Sequence, residues 1–99
     1  MITAAQAKEK TMERITQLAK EFLTNCAEPI IDEAIGKGKF RAAVDLDSVT
    51  TGVPTETIVN IGKEVVRILT CDYGFEAEHV YSDGPRDRAN YILIKWGTD

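Results

Sequence analysis

The feature that most constrains the fold of this chain is a pair of strand-like segments at its C-terminal end. Residues 75–82 alternate with a period close to two, which is typical of a half-buried β-strand. The segment SDGPRD that follows has the composition of a turn, and residues 89–96 supply a return strand. Two strands joined by so short a turn pair with each other, so the sequence predicts an antiparallel hairpin.

A long helical pattern precedes this hairpin at the N-terminal end. Apolar residues recur at three- or four-residue spacing through residues 12–35, as on the buried side of an amphipathic helix. Pro29 lies inside the pattern, and a proline there removes a hydrogen bond and clashes with the preceding turn. We therefore expect a kink or break near residues 25–28, and a helix stop at Gly36 and Gly38.

A strand and a second helix lie between these two regions. Residues 39–47 predict a half-buried strand, whose buried positions are Phe40, Ala42, Val44 and Leu46. Residues 48–55 have loop composition, and the helix that follows begins near Pro54 and ends before Gly74. Gly62 lies inside this helix, which indicates a close approach to the first helix or to the sheet, because glycine costs about 1 kcal/mol relative to alanine.

These elements give the order α–β–α–β–β in a chain of 99 residues. The sequence predicts a single α+β domain over residues 1–99, with a long N-terminal helix over 1–36 and a β-α-β-β unit over 39–99. Two helices would cover one face of a three-stranded sheet. The pattern leaves open whether the first strand pairs with the second or with the third.

The final strand is apolar on both faces. Ile92, Ile94 and Trp96 share one face and are expected to meet the helices. Tyr91 and Leu93 then lie on the open face, as an apolar centre with a charged rim, which is the anatomy of a protein-binding patch. The predicted partner-binding residues are Arg41, Val80, Tyr91, Leu93 and Lys95.

The apolar character of this strand is also consistent with two arrangements that need no partner. The central strand of a sheet is often more apolar than its neighbours, and cross-strand aromatic–aliphatic pairs stabilise an open face. Alternatively, the N-terminal helix folds back over the face and covers it.

The first helix also offers a surface for self-association. Its stripe has spacing similar to that of a coiled coil, and the predicted homodimer seam consists of Met12, Ile15, Ala19 and Phe22. The alternative is that this stripe packs against the second helix in the core.

Residues with catalytic or ligand chemistry are few. His79 is the single histidine, and we expect a structural side chain with one hydrogen bond rather than a base, because no motif places a nucleophile beside it. Asp45 and Asp47 share a strand face, but two carboxylates are too few to hold a cation. We expect no enzyme activity, no metal and no cofactor. Cys26 and Cys71 are interpreted as two buried thiols, with a disulfide between them left open.

Charge and hydropathy bear on the partner. The net charge of −4 is spread thinly, which argues against a nucleic-acid backbone as the main ligand. A weak nucleic-acid contact through the basic loops 36–41 and 85–88 is the alternative, if both loops lie at one end of the sheet. No apolar run approaches the ~20 residues of a membrane span, and a cytoplasmic location is expected.

The C-terminal hairpin carries one resemblance to known proteins. The Gly74–Phe75 step and the closing Ile94, Lys95 and Trp96 resemble the hairpin of small accessory and structural proteins of tailed phages and prophages. The resemblance covers about the last quarter of the chain and implies a virus-encoded protein in the host cytoplasm. Together with the open face, it predicts a non-enzymatic protein-binding module that inhibits a host factor or joins an assembly.

Overall fold

The computed structural model of the protein describes residues 1–84 and 86–97. Its elements, in chain order, are helix α1 (Ala4–Phe22), a π-helical turn (Leu23–Ala27), helix α2 (Glu28–Gly36), strand β1 (Arg41–Asp45), helix α3 (Asp47–Thr50), helix α4 (Thr55–Cys71), strand β2 (Glu76–Ser82) and strand β3 (Ala89–Lys95). The helices pack on one face of a three-stranded antiparallel sheet. The predicted two-layer α+β class is confirmed.

Strand β3 lies in the middle of the sheet. The order is β1-β3-β2, and β3 is antiparallel to both neighbours. The predicted hairpin of β2 and β3 is therefore present, and the first strand pairs with the third. Because β3 has a strand on each side, its backbone groups bond in both directions, which suits an apolar segment.

The core forms between the inner face of the sheet and helices α1 and α4. Ile92 and Ile94 of β3 are fully buried there, as the sequence predicts. Burying a side chain of this size contributes about 1.5–3 kcal/mol before entropy is subtracted. The other large, fully buried members are Phe22, Val44, Leu46, Ile61 and Val65.

The N-terminal helix is interrupted where Pro29 predicts it. A capping box between Thr3 and Gln6 starts α1. The helix widens into the π turn Leu23–Ala27, whose last bond runs from the Glu28 N–H to the Leu23 carbonyl. This wider turn ends two residues before Pro29, whose missing N–H and bulky ring do not fit a continuous α-helical ladder.

Two local predictions are wrong in the same region of the chain. Phe40 is 63% exposed, because β1 begins only at Arg41 and the Phe40 ring lies against Gly97 instead of entering the core. The segment predicted to be a loop contains the short helix α3, whose first N–H, at Asp47, donates to the Asp45 carboxylate at 2.8 Å.

The two cysteines are free thiols. Cys26 is half-buried, with its Sγ 3.2 Å from the Ser48 hydroxyl. Cys71 is exposed at the end of α4, so the prediction of a buried thiol is wrong there, and the two are not joined by a disulfide.

Gly62 allows α4 to lie close to strand β2. A Cβ at this position would lie 2.1 Å from Nδ1 of His79 on β2. The absence of a side chain therefore lets the imidazole pack directly against the helix, and the close approach indicated by the sequence is to the sheet.

We expect Gly62→Ala to destabilise the protein. The clash with His79 costs about 1–3 kcal/mol, which outweighs the gain of about 1 kcal/mol in helix propensity. Urea denaturation measures the loss in free energy of unfolding. The matched control is Gly36→Ala, because a Cβ there meets nothing within 4 Å. Gly62→Ala combined with His79→Ala should lose less than the sum of the two single changes, and strict additivity would contradict the clash.

A carboxylate on α4 links this helix to α1. Glu64 accepts a hydrogen bond from the Thr16 hydroxyl at 2.5 Å and another from Arg67. The Arg67 guanidinium, and after it the Thr16 hydroxyl, lower the pKa of Glu64 below its ordinary value. Because the folded pKa is the lower one, this contribution to stability is complete at neutral pH. It declines as the pH falls below the ordinary glutamate pKa and disappears below the folded pKa.

We therefore expect the free energy of unfolding of Glu64→Gln to depend less on pH, below neutral pH, than that of wild type. Urea denaturation from about pH 7 down to pH 3 should show wild type losing roughly 1 kcal/mol more than the variant. Parallel profiles for the two proteins would show that Glu64 does not link the helices in solution.

Candidate functional site

The open face of the sheet, on the side away from the helices, is the candidate site. The strand registers place its side chains in three rows that cross all three strands, and in a further pair, Ser82 and Ala89, that β1 does not reach. The first row is Arg41, Lys95 and Glu76, the second is Ala43, Leu93 and Glu78, and the third is Asp45, Tyr91 and Val80. All five predicted partner-binding residues fall on this one face.

The centre of the open face is apolar. Tyr91 pairs with Val80, and Leu93 pairs with Ala43. Tyr91, Leu93 and Val80 are half-buried by these neighbours, while Ala43 is exposed. Cross-strand pairing thus covers part of each side chain, and the remaining surface stays in contact with water.

No described helix lies over the centre of this face. A groove of about 850 Å³ lies at the end of the face that carries Arg41 and Lys95, and its lining extends from Phe40 to Leu93 without reaching Tyr91. Helices α1 and α4 join the core on the other face, against Ile92 and Ile94. The alternative in which the N-terminal helix covers the open face is wrong, because the helix is already occupied in the core.

The charges on the face are distributed unequally. Arg41 and Lys95 are neighbours at one end, and Asp45 lies at the other end of β1. Two glutamates, Glu76 and Glu78, follow the β2 edge. The face therefore has a positive end on β1 and β3, and a negative end and a negative edge.

The predicted dimer seam on α1 does not form a surface. Ile15 is 5% exposed, and Ala19 and Phe22 are fully buried in the chain's own core. Only Met12, at 49%, is exposed, and it lies in a depression with the charged residues Glu9 and Glu13. The seam prediction is corrected: the stripe packs against α4, which was the alternative interpretation of its spacing.

The two basic loops lie at opposite ends of the sheet. Residues 36–41 lead into β1 at the row that contains Lys95, the last residue of β3. Residues 86–88 lead into β3 at Ala89, its first residue, and Pro85 is outside the described residues. The condition set for a joint nucleic-acid surface is therefore not met.

A polar network that the sequence did not predict joins three segments on the inner face of the sheet. The Asn90 amide donates to the Asp47 carboxylate and to the Thr50 hydroxyl, each at 3.0 Å. Its Oδ1 lies 2.8 Å from Nε2 of His79 and accepts that proton. His79 thus has one hydrogen bond, as expected of a structural histidine. The signal that could have found this network is Asn90, a polar residue on the inward-facing positions of a central strand.

The network borders a polar cleft of about 370 Å³, which also contacts Tyr81, Asp83 and Arg88. The Thr50 hydroxyl, which is buried, donates to the Leu46 carbonyl at 2.9 Å. The side chains of the network thus bond mainly to one another, so the network holds α3 against β3. Across residues 1–84 and 86–97, no group of three or more His, Cys, Asp or Glu residues is placed to hold a metal ion.

We expect Asn90→Ala to destabilise the fold by about 1–3 kcal/mol, because it leaves the buried Thr50 and the Asp47 carboxylate without their donor. Urea denaturation measures the change, and Asn25→Ala, at an exposed position of the π turn, serves as the control. Equal stability of Asn90→Ala and wild type would show that water replaces the network at no cost.

Comparison with protein-family models, with curated proteins and with solved structures finds no match to this chain. Within the part of the chain that the structure describes, no helix combines the length and the apolar character required to cross a bilayer.

Proposed function

We propose that this protein is a non-enzymatic protein-binding module that acts through the open face of its sheet. The observation that carries the proposal is the placement of Tyr91 and Leu93 on the face opposite the helices, where both remain only half-buried. Water contacts these side chains in the free protein. A partner that excludes this water gains roughly 25 cal/mol for each Å² of apolar surface.

The composition of the face supports a protein partner. Binding energy at protein interfaces concentrates in a few central residues, among which Tyr and Arg are enriched, and a polar rim surrounds them. Tyr91 is central here, and Arg41 lies at the rim with Lys95. Phe40 extends the apolar surface past the end of β1, where it is largely exposed.

The position of the polar residues supports a binding role over a catalytic one. His79, Asn90 and Asp47 bond to one another, and His79 lies on the inner face, beneath Gly62. The open face itself presents carboxylates, an arginine, a lysine and a tyrosine, without a nucleophile held beside a base.

The separation of the basic loops favours a protein over a nucleic acid. The loops are divided by the length of β3, about 20 Å at 3.3 Å per residue. Arg41 and Lys95 also share the open face with Glu76, Glu78 and Asp45, so no continuous basic track is available to a phosphate backbone.

The C-terminal hairpin supports a proposal about where the protein acts. Its resemblance to small proteins of tailed phages and prophages supports a virus-encoded protein in the cytoplasm of the host. In that setting the open face would bind a host factor and inhibit it, or bind a neighbouring subunit in an assembly.

We expect the double substitution Tyr91→Ser/Leu93→Ser to abolish partner binding. A photo-reactive amino acid at position 43, at the margin of the apolar centre, cross-links the bound protein in the host cells that produce the chain. The cross-linked product should disappear in the double variant, and excess untagged wild type should compete it away. Circular dichroism and thermal unfolding confirm that the variant is folded.

The matched control is Met12→Ser/Ile35→Ser, which removes two exposed apolar side chains from the helices. This control should cross-link as wild type does. A product that survives in Tyr91→Ser/Leu93→Ser would place the binding surface elsewhere on the protein.

A further inference from the structure

We propose that the open face binds a second copy of this chain, so that two sheets pack face to face about a two-fold axis. This inference rests on the proposed function and names its partner. The observation behind it is the arrangement of charges on the three cross-strand rows, which is complementary to itself when one copy is turned over the other.

The geometry follows from the strand registers. Sheets that pack face to face lie about 10 Å apart with nearly aligned strands, and a two-fold interface applies the same patch from both subunits. A two-fold axis across the strands, along the row of Ala43, Leu93 and Glu78, places each strand over its own copy. It also places the Arg41 row over the Asp45 row.

This arrangement pairs opposite charges across the interface. Arg41 of each copy faces Asp45 of the other, which gives two equivalent ion pairs on the β1 edge. Both side chains are exposed, and four residues of strand hold them about 13 Å apart within one copy, so they do not pair with each other in the monomer. Lys95 faces Tyr91, where a cation over an aromatic ring is favourable, and Leu93 meets Leu93 on the axis.

A two-fold axis along the strands is less favourable. That axis pairs Arg41 with Glu76, but it places Lys95 opposite Lys95. It also places the Glu78 carboxylate over Ala43 and the Asp45 carboxylate over Val80, where neither meets an opposite charge. Among the charged residues, the axis across the strands places only Glu78 opposite its own copy, and it places the Glu76 carboxylate over Val80. Glu78 lies on the exposed β2 edge, where its carboxylate can extend into solvent.

The size of the face sets the strength of this association. Three strands of five to seven residues present roughly 300 Å² of projected surface on each copy. An interface at this low end of the size range is weak and transient. We therefore expect a monomer–dimer equilibrium with a dissociation constant in the micromolar range.

Sedimentation equilibrium of the full chain, from about 1 to 500 µM, tests the proposal. Wild type should dimerise. Arg41→Asp places two pairs of like charges in the interface and should raise the dissociation constant at least about tenfold. The charge swap Arg41→Asp/Asp45→Arg should restore the dimer, and Glu78→Gln should tighten it by removing the like charges on the axis.

Two controls keep the test specific. Arg14→Asp makes the same charge change on the exposed side of α1 and should leave the equilibrium unchanged. Asp45 also accepts a hydrogen bond from the Asp47 N–H, so thermal unfolding of the swapped variant is measured first. If the charge-swap variant does not fold, two other variants test the dimer. We expect Glu78→Gln to dimerise more tightly than wild type and Tyr91→Ser to dimerise more weakly.

Three results would overturn the inference: a monomer at every concentration, a dimer indifferent to Arg41→Asp and Tyr91→Ser, or weakening by Arg41→Asp that a folded charge swap fails to restore. None of these results removes the proposed function by itself. A monomer whose cross-linked product depends on Tyr91 and Leu93 would still bind a different protein through this face.

Discussion

The position of β3 between β1 and β2 is the constraint on which the rest of the structure depends. The backbone of a strand with partners on both sides is hydrogen-bonded to both neighbours. Its side chains alternate between the two faces of the sheet, so one set meets the helices and the other set meets solvent. Ile92 and Ile94 go to the helices and are fully buried. Tyr91 and Leu93 go to the opposite face by the same alternation, so the core and the candidate binding surface are two sides of one strand.

Two close contacts fix this strand and its neighbours to the helices. The Gly62–His79 contact lets α4 approach β2 more closely than any residue with a side chain allows. Asn90 then connects His79 to α3, through Asp47 and Thr50. The polar residues of the inner face thus serve the packing of the layers, and the open face is the surface to which we assign the proposed binding.

Much of the fold could be predicted because its signals are local. The period-two segments, the proline inside the first helix and the glycine inside the second each predict a structure from a few neighbouring residues. Two predictions are wrong because a local pattern is compatible with more than one tertiary arrangement. Phe40 fits the alternation of β1, yet the strand begins one residue later and the ring covers Gly97. The stripe on α1 has the spacing of a dimer seam, yet periodicity cannot distinguish a partner helix from α4 of the same chain.

By itself the sequence determined the class of each element except the short helix α3, the hairpin of β2 and β3, and the two faces of the final strand. These follow from the repeat of apolar residues along a short segment. Only the tertiary structure decided that β1 pairs with β3, that the basic loops lie at opposite ends of the sheet, and that the helices leave Tyr91 and Leu93 uncovered. These outcomes depend on contacts between residues far apart in the chain. Such contacts form when whole layers pack together, and they cannot be predicted from the pattern of residues within one short segment.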